Sequence, residues 1–369
     1  MSDIERTARQ LSVLKPILID RVHGGAAPEG TIDFSASINP LGPPPAAIEA
    51  YHRAVETLSR YPSPYADQLG RRIADWVGAS AGEVLVGNGS TQLIHLIARA
   101  MGWRKPVVVT PTFSELANAL IFAKAIPNAI ELLYDLNFEL QLKDVTDALE
   151  AGADAILLGR PNSPTGGMIS FTQATAIAIE CARFDAHCVF DEAFIDFSVD
   201  SRSMAELIPR APNVLVLRSM TKIFAIPGLR LGFVVASAPS ISQLRATFEP
   251  WSVNAVAERV VSACLGVANE YIARSREVIA RERSYLADGF GRNPHLRVFP
   301  SAANFLMIAA RDMGAASFGA FMLRRAIAVR DLRSLPGCGP GLYRVGIRNH
   351  ADNERIVVAA GEYPGAMLE

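Results

Sequence analysis

Short runs of β-branched and other apolar residues alternate with segments of helical periodicity through much of the chain, and this alternation most constrains the fold. Strands are predicted at 84–87, 107–110, 155–159, 188–194, 214–220 and 231–236. Between them, 92–101 and 171–184 place apolar residues at helical spacing and have the length of crossover helices. The pattern predicts an α/β fold with a mostly parallel central sheet that is buried on both faces.

The chain is too long for one core, and its pattern changes after the last of these strands. It has 369 residues, whereas single cores stop growing at about 250–300 residues. We predict an N-terminal segment that lies across the mouth between two domains (1–45), a large α/β domain (46–245) and a small α+β C-terminal domain (246–369). The first segment is rich in Gly and Pro and cannot form a core of its own.

Composition points to small-molecule chemistry. Lys and Arg total 36 against 37 Asp and Glu, so the near-neutral charge gives no reason to expect a nucleic-acid partner. We find no export signal and no apolar stretch of the roughly 20 residues that a membrane span needs. The 4 cysteines contain no CxxC pair and the 6 histidines do not cluster with other ligands. We therefore expect a soluble, cytoplasmic protein with reduced thiols and no metal.

Lys222 carries the strongest chemical signal. It ends the run Ser219-Met220-Thr221-Lys222, which follows an apolar strand, and Arg230 comes eight residues later. Ligands of α/β sheets bind at the carboxyl ends of strands, where a partly desolvated amine is suited to Schiff-base chemistry. Two hydroxyls and a guanidinium nearby suit a phosphate. A solvated surface lysine is the alternative, and the neighbouring residues argue against it.

Asp191 lies at the end of another apolar strand, in the segment FDEAF. A buried carboxylate without a partner is costly, so it needs a cation nearby. The protonated ring nitrogen of pyridoxal 5′-phosphate (PLP) is such a cation, and it lets the ring accept electrons from an α-carbon. A structural ion pair is the alternative. Glu192 points to the opposite side of the strand and is the weaker candidate.

A glycine-rich turn at 87–91 joins a predicted strand to a predicted helix. Its glycines allow the backbone to approach a phosphate closely, and the free N–H groups with the helix dipole favour an anion. Such a turn is weak evidence alone, but its position strengthens it. Ser90 and Thr91 are its candidate ligands.

Phe113 and the turn 160–167 each follow a predicted strand. An aromatic face can stack on a flat cofactor ring, and Asn162 or Ser163 can hydrogen-bond a phenolic oxygen of that ring. Either feature can equally be a packed loop.

Arg330 and Arg344 lie near the ends of late predicted strands. Arginine is suited to bidentate capture of a carboxylate or a phosphate. Pairing with surface carboxylates is the alternative for both residues.

With these motifs in order, the chain resembles fold-type-I PLP enzymes of the aminotransferase superfamily, close to the histidinol-phosphate aminotransferases. It is most similar to the L-threonine-O-3-phosphate decarboxylases of cobalamin synthesis. The matching segments are HGG (23–25), DFSASINPLG (33–42), RYPSPY (60–65), VGNGST (86–91), PTFSEL (111–116), PNSPTG (161–166), FDEAFIDF (190–197), SMTKIFAIPGLRLGF (219–233), EPWSVNA (249–255) and LYRVGIRNHADNER (342–355).

The resemblance implies a homodimer and a role for each candidate residue. Lys222 holds PLP as a Schiff base, Asp191 pairs with the ring nitrogen and Phe113 stacks on the ring. The cofactor phosphate is bound by Ser90, Thr91, Ser219, Thr221, Arg230 and, from the other subunit, Tyr61. Arg344 binds the substrate carboxylate. The substrate phosphate is surrounded by His23, Arg330 and the segment 33–40, which includes Ser37.

Three positions depart from the related patterns. Ser163 replaces an Asn that bonds the ring oxygen, so either Asn162 or Ser163 takes that role. Ser37 also replaces an Asn, which leaves phosphoserine open as a substrate. Phe194 replaces a Tyr of the aminotransferases and favours decarboxylation.

The resemblance therefore implies PLP-dependent decarboxylation of O-phospho-L-threonine. The alternatives are a histidinol-phosphate or related aminotransferase and a phosphoserine decarboxylase. A PLP-fold sensor of a transcription regulator is disfavoured, because the residues before 23 leave no room for a helix-turn-helix.

Overall fold

The computed structural model describes residues 12–13, 24–311 and 317–365. Within these ranges, strands and helices alternate as the apolar pattern predicts. The strands are β1 (Ser12–Val13), β2 (Ile32–Asp33), β3 (Val84–Gly87), β4 (Pro106–Thr110), β5 (Asn128–Glu131), β6 (Ala155–Gly159), β7 (His187–Asp191), β8 (Val214–Ser219), β9 (Gly232–Ala236), β10 (Leu296–Val298), β11 (Phe305–Ala310), β12 (Ile327–Ala328), β13 (Arg330–Asp331) and β14 (Leu342–Gly346).

Helices connect most of the central strands and then dominate the beginning of the C-terminal part. In the described ranges they are α1 (Pro45–Arg53), α2 (Asp67–Val77), α3 (Gly89–Met101), α4 (Glu115–Phe122), α5 (Leu142–Glu150), α6 (Phe171–Arg183), α7 (Met220–Ile223), α8 (Ala238–Arg245), α9 (Ala255–Gly266), α10 (Ala268–Gly291), α11 (Phe318–Leu323) and α12 (His350–Gly361). Among them, none is both long and apolar enough to cross a membrane.

The central sheet has eight strands in the order β1-β5-β4-β6-β7-β8-β9-β3. The strands from β5 to β8 in this order run parallel to one another, whereas β9 is antiparallel to both of its neighbours and β1 is antiparallel to β5. The predicted α/β fold with a mostly parallel sheet is confirmed. Parallel strands bring their carboxyl ends to one edge, so β6, β7 and β8 deliver the residues that follow them to a common place.

Both faces of this sheet are buried. Along β3, for example, Val84 and Val86 pack in one hydrophobic cluster while Leu85 packs in another. Side chains alternate between the faces of a strand, so two clusters on opposite faces require apolar residues at every position. This is why strands such as β4 and β6 read as nearly unbroken apolar runs.

A separate small domain at the C-terminal end contains the antiparallel sheet β10-β11-β14-β13. The N-terminal segment joins this domain to the large one. Gly346 N–H donates to the Phe34 carbonyl (2.7 Å), and Asn39 N–H donates to the Lys222 carbonyl (3.3 Å). The segment therefore runs from the small-domain sheet to the carboxyl edge of the central sheet. The exact domain boundaries remain a prediction.

Candidate active site

Lys222 lies in the short helix α7, which begins directly after β8. Its Nζ donates to Thr221 Oγ1 at 3.3 Å. Burial lowers the pKa of Lys222 to about 8, and the positive charges of Arg230 and Arg344 act in the same direction, while Asp191 opposes them. An amine with this pKa is neutral, and hence nucleophilic, in a far larger fraction of molecules at neutral pH than an exposed lysine.

Asp191 is the last residue of β7, the strand next to β8. Its side chain is buried, and Oδ1 accepts a hydrogen bond from Ala193 N–H at 3.0 Å. Burial raises the pKa of Asp191 to about 6, although the Ala193 N–H and the charge of Lys222 favour the carboxylate. The carboxylate is thus only partly compensated by the described residues, and a cationic ring nitrogen would compensate it further.

Glu192 is directed into a different environment. It forms an ion pair with Arg160 in which Nη1 lies 3.0 Å from Oε1 and neither side chain is exposed. Ser203 Oγ and Met204 N–H also donate to this carboxylate. Glu192 therefore belongs to the packing behind the strand rather than to the ligand site.

The phosphate-binding elements converge at the start of α3. The backbone at Gly89 has φ +80°, and a Cβ built there would lie 2.6 Å from Arg230 Nη2. A Cβ at Gly232 would lie 2.6 Å from Ser90 N. Only glycines allow Arg230 and β9 to approach the first turn of the helix this closely.

Two hydroxyls lie next to this turn, because Ser219 is paired with Gly232. We call the set Ser90, Thr91, Ser219, Thr221 and Arg230 the phosphate cup. Ser219 Oγ and Thr221 Oγ1 are hydrogen-bonded to each other at 2.8 Å and are both buried. Ser90 and Thr91 occupy the first turn of α3, where backbone N–H groups have no partner within the helix. The arrangement of a cationic guanidinium, hydroxyls and a helix N-terminus matches the donors that a phosphate requires.

Taken together, the amine of Lys222, the buried Asp191 and the cup around Gly89 fit PLP. The cup suits the cofactor phosphate, Asp191 suits the ring nitrogen and Lys222 suits the aldehyde. Phe113 follows β4 at the same edge of the sheet and is partly buried, as a residue that stacks on a ring would be.

In the turn after β6, Asn162 and Ser163 have different hydrogen-bond partners. Asn162 is buried, and its Nδ2 donates to the Pro111 carbonyl (2.8 Å) and to Thr165 Oγ1 (3.0 Å). Both amide hydrogens of Asn162 are thus used within the protein. Ser163 Oγ instead accepts a hydrogen bond from Arg344 Nη1 at 3.0 Å. The structure therefore brings Ser163, rather than Asn162, to a residue predicted to bind substrate.

Arg344 on β14 is held by several groups. Its Nη2 donates to the Ser35 carbonyl at 3.0 Å, and its Cζ lies 5.2 Å from the centre of the Phe305 ring. Its Nε is shielded from solvent and has no hydrogen-bond partner among the described residues. Burial lowers the pKa of Arg344 to about 10, and the charge of Arg330 lowers it further, while Asp33 raises it.

Two further predicted substrate residues, Arg330 and Ser37, belong to elements that contact this arginine. Arg330 on β13 is directly opposite Arg344 in the antiparallel register. Ser37 belongs to the segment that runs from Ser35 to Asn39, and its buried Oγ has no hydrogen-bond partner in the described part of the chain. Arg330 is thus close to Arg344, and the role of Arg330 and Ser37 at a substrate site stays a prediction.

Tyr61 is not brought to this cluster within its own chain. The Tyr61 side chain is 89% exposed and its ring centre lies 5.9 Å from that of Trp251. His23 lies outside the described residues.

The sequence patterns did not reveal the residues that hold this site together. Ser35 and Phe305 position Arg344, and Asn39 Nδ2 donates to the Ile223 carbonyl at 2.8 Å, next to Lys222. Ser35 and Asn39 lie in the segment 33–40, which the sequence did place at the substrate. Phe305 begins β11 and carries no chemical signal of its own.

Comparisons with known proteins agree with this geometry. A family model described as aminotransferase class I and II matches residues 29–359. A threonine-phosphate decarboxylase from Salmonella typhimurium is 32% identical over 91% of this chain and 92% of its own. A histidinol-phosphate aminotransferase from Methanothermobacter thermautotrophicus is 30% identical over 92% of this chain and 90% of its own.

The fold has close counterparts among solved structures. The histidinol-phosphate aminotransferase from Clostridium acetobutylicum superimposes with a TM-score of 0.82 at 24% identity, covering 89% of this chain and 97% of the other. The match to the family model extends over most of the chain and includes Lys222, Asp191 and the phosphate cup. The chain therefore belongs to the aminotransferase class I and II family of PLP-dependent enzymes.

Proposed function

We propose that the chain decarboxylates O-phospho-L-threonine to (R)-1-aminopropan-2-yl phosphate and carbon dioxide, as a step of cobalamin biosynthesis. The resemblance of its motifs to decarboxylases of that pathway supports the assignment. The similarity to a threonine-phosphate decarboxylase over nearly the full length of both chains supports it independently.

The register between Arg330 and Arg344 is the observation that carries the proposal. Residues directly opposite on antiparallel strands have Cβ atoms about 5 Å apart, and like charges at this distance repel. The repulsion contributes to the low pKa of Arg344. The charge of Asp33 raises this pKa but offsets the lowering only in part. A ligand with two anionic groups would relieve it, and O-phospho-L-threonine carries a carboxylate and a phosphate.

The residues of the site suit this reaction in the following way. When bound, PLP accepts the electron pair that is released as a bond to the α-carbon breaks. Asp191 would keep the ring nitrogen protonated. Arg344 would hold the substrate carboxylate, while Arg330, Ser37 and His23 would surround the substrate phosphate.

Two anchors on one substrate have a stereochemical consequence. The bond that breaks is the one held perpendicular to the cofactor ring, and fixing both the carboxylate and the phosphate fixes the rotation about the α-carbon. Lys222 Nζ, with a pKa of about 8, can return a proton to the α-carbon after carbon dioxide has left.

The cofactor phosphate would be bound by the cup already described, namely Ser90, Thr91, Ser219, Thr221 and Arg230. Phe113 would stack on the ring. Since Asn162 uses both amide hydrogens on Pro111 and Thr165, we assign no ring contact to it.

A histidinol-phosphate aminotransferase is the second candidate, supported by a relative that is 30% identical. Phe194 argues against it. This residue is buried with its ring edge-on to Phe305, the two centres lying 5.0 Å apart. Phe194 has no hydroxyl that could bond the cofactor ring. The resemblance associates a Tyr hydroxyl at this position with transamination. A phosphoserine decarboxylase remains a third candidate because Ser37 is smaller than the expected Asn.

A homodimer is supported by an exposed apolar stripe. Ile48, Tyr51, Val55 and Leu58 follow one another at intervals of three or four residues and are all exposed, so they share one face of α1 and the turn that follows it. The resemblance also implies that a second copy receives Tyr61 near its phosphate cup. The four cysteines are free, and we place the enzyme in the cytoplasm, where thiols stay reduced.

The test is a comparison of two reactions with purified protein loaded with PLP. We expect labelled carbon dioxide from carboxyl-labelled O-phospho-L-threonine without any 2-oxo acid, less from O-phospho-L-serine and none from the Lys222→Ala variant. Amino transfer from histidinol phosphate to 2-oxoglutarate, without carbon dioxide release from either phosphoamino acid, would establish the aminotransferase instead.

A further inference from the structure

We propose that Ser163 is a positioning residue that holds Arg344 in the orientation needed to bind the α-carboxylate of the substrate. The inference rests on the proposed function, because it takes Arg344 as the carboxylate ligand. It assigns to Ser163 a role in orienting a residue that binds the substrate.

The backbone that carries the Ser163 hydroxyl is held in place by hydrogen bonds. Its turn is closed on itself, because Asn162 N–H donates to the Gly167 carbonyl (2.8 Å) and Gly166 N–H donates to the Asn162 carbonyl (2.7 Å). The Asn162 amide anchors the turn to Pro111. Ser163 is therefore presented by a rigid backbone at the carboxyl end of β6.

The oxygen of the Ser163 hydroxyl accepts a hydrogen bond from Arg344. In the described part of the chain, the 3.0 Å bond to Arg344 Nη1 is the hydrogen bond that the Ser163 side chain makes. The second donor of Arg344, Nη2, goes to a backbone carbonyl of Ser35, and the Phe305 ring lies beside the guanidinium. Of these contacts, the one to Ser163 connects Arg344 of the small domain to the large domain that carries Lys222.

This geometry determines which donors remain for a ligand. A guanidinium has five N–H groups in one plane and binds a carboxylate through two of them in parallel. Nη1 and Nη2 each use one hydrogen on Ser163 and Ser35, so Nε and one hydrogen on each Nη are left. Nε is shielded from solvent and has no partner among the described residues, so the two remaining Nη hydrogens are the donors that a ligand can reach. The contacts with Ser163 and Ser35 fix the plane of the guanidinium, and this plane determines where those two hydrogens place the carboxylate.

A matched pair of ligands tests this role without turnover. The compound 3-phosphonooxybutanoate is O-phosphothreonine without its amino group, and propan-2-yl phosphate also lacks the carboxylate. Neither has an amine that can react with the cofactor. Calorimetric titration of the PLP-loaded protein with each compound measures binding separately from activity.

We expect Ser163→Ala to weaken binding of 3-phosphonooxybutanoate roughly tenfold, the usual effect of losing one hydrogen bond that involves a charged group. Binding of propan-2-yl phosphate should change less than about twofold on the same grounds. Ser170→Ala is the control, since Ser170 caps the exposed start of α6 and should leave both affinities unchanged.

The double variant shows whether Ser163 acts through Arg344. In an Arg344→Gln background, Ser163→Ala should cause no further loss of affinity for 3-phosphonooxybutanoate, since coupled residues are not additive. Equal weakening of both ligands by Ser163→Ala, no weakening of either, or a full additional loss in the double variant would each overturn the assignment. Wild-type protein that binds neither compound would overturn the proposed substrate itself.

Discussion

Asp191 ends β7 and Lys222 follows the neighbouring parallel strand β8. Each residue stabilises the charged form of the other, yet burial outweighs this attraction for both. The pKa of Asp191 is raised to about 6 and that of Lys222 is lowered to about 8. Groups with pKa values shifted toward neutrality in a cleft are typical of catalytic sites. They also make the site unstable in the absence of its cofactor.

The first prediction concerns this instability. The folded pKa of Asp191 is about 6 against a usual value of 3.8, so the native state binds more protons than the unfolded state between these values. Stability therefore falls as pH rises through this window, and above pH 6 the ionised Asp191 costs up to about 3 kcal/mol.

We expect Asp191→Asn to raise the free energy of unfolding of the cofactor-free protein at pH 7, and the gain to vanish near pH 4. Urea denaturation at both pH values measures it. With PLP bound, the variant should lose this advantage and its catalytic turnover. A variant that is less stable at pH 7 without cofactor, or that turns over normally, would show that Asp191 has another role.

The second prediction concerns capture of PLP by cofactor-free protein, which requires the neutral amine of Lys222. Its pKa is lowered from 10.5 to about 8, so the rate should rise with pH and level off just above 8. Arg344→Gln removes one of the charges that lower this pKa and should move the inflection to higher pH.

Arg330→Gln is the control for this experiment, because Arg330 acts on Arg344 rather than on Lys222. In this variant, the pH at which the rate of PLP capture levels off should stay closer to the wild-type value. The rate is followed by absorbance, and borohydride reduction should fix the cofactor mass on the peptide that contains Lys222. An inflection near 10, or labelling of another lysine, would contradict the prediction.

The central strands could be predicted from the sequence because a strand buried on both faces is a continuous apolar run. The prediction for 84–87 coincides with β3, and that for 155–159 coincides with β6. β5 was missed because NAIE begins with Asn and ends with Glu at the exposed end of the strand. Two-residue strands such as β2 and β12 are too short for any periodicity.

The candidate site was predictable where a residue follows a strand, because parallel strands share one carboxyl edge. Lys222 and Asp191 are of this kind. The contacts of Arg344 could not be predicted in this way. They join Arg344 to Ser163 and Ser35, which lie 181 and 309 positions away in the chain. Periodicity carries no information about which loops meet, so the role of Ser163 appears only in the folded chain.

The third prediction compares the two ends of α3, where Gly89 and Gly102 both have positive φ, +80° and +66°. A Cβ at Gly89 would lie 2.6 Å from Arg230 Nη2, whereas a Cβ at Gly102 would meet nothing within 4 Å. Alanine at either position strains the backbone. We expect only Gly89→Ala to displace Arg230, weakening PLP binding at least tenfold, as loss of a charged contact does.

The dissociation constant of PLP, measured by fluorescence titration, checks this prediction. Gly102→Ala should lose a similar amount of stability with an unchanged affinity. Equal loss of affinity in both variants would mean that strain in the helix, rather than Arg230, controls the phosphate cup.

The last prediction concerns Tyr61, whose exposed side chain packs on Trp251 and which we place in the partner's site. Tyr61→Phe should lower activity about tenfold by removing one hydrogen bond to a phosphate, and Lys222→Ala should abolish it. In a hybrid dimer of these two variants, one site combines Lys222 of one chain with Tyr61 of the other and is fully wild type. Subunit exchange should therefore raise activity well above that of either variant.

The matched control mixes Asp191→Ala with Lys222→Ala. These two residues follow adjacent strands of one chain, so every site in the hybrid lacks one of them and no activity should return. Subunit exchange is verified with a mass-tagged copy. Failure of the Tyr61 hybrid to recover despite exchange would place Tyr61 in the site of its own subunit, while recovery in the Asp191 hybrid would contradict the arrangement of Asp191 and Lys222 around one cofactor.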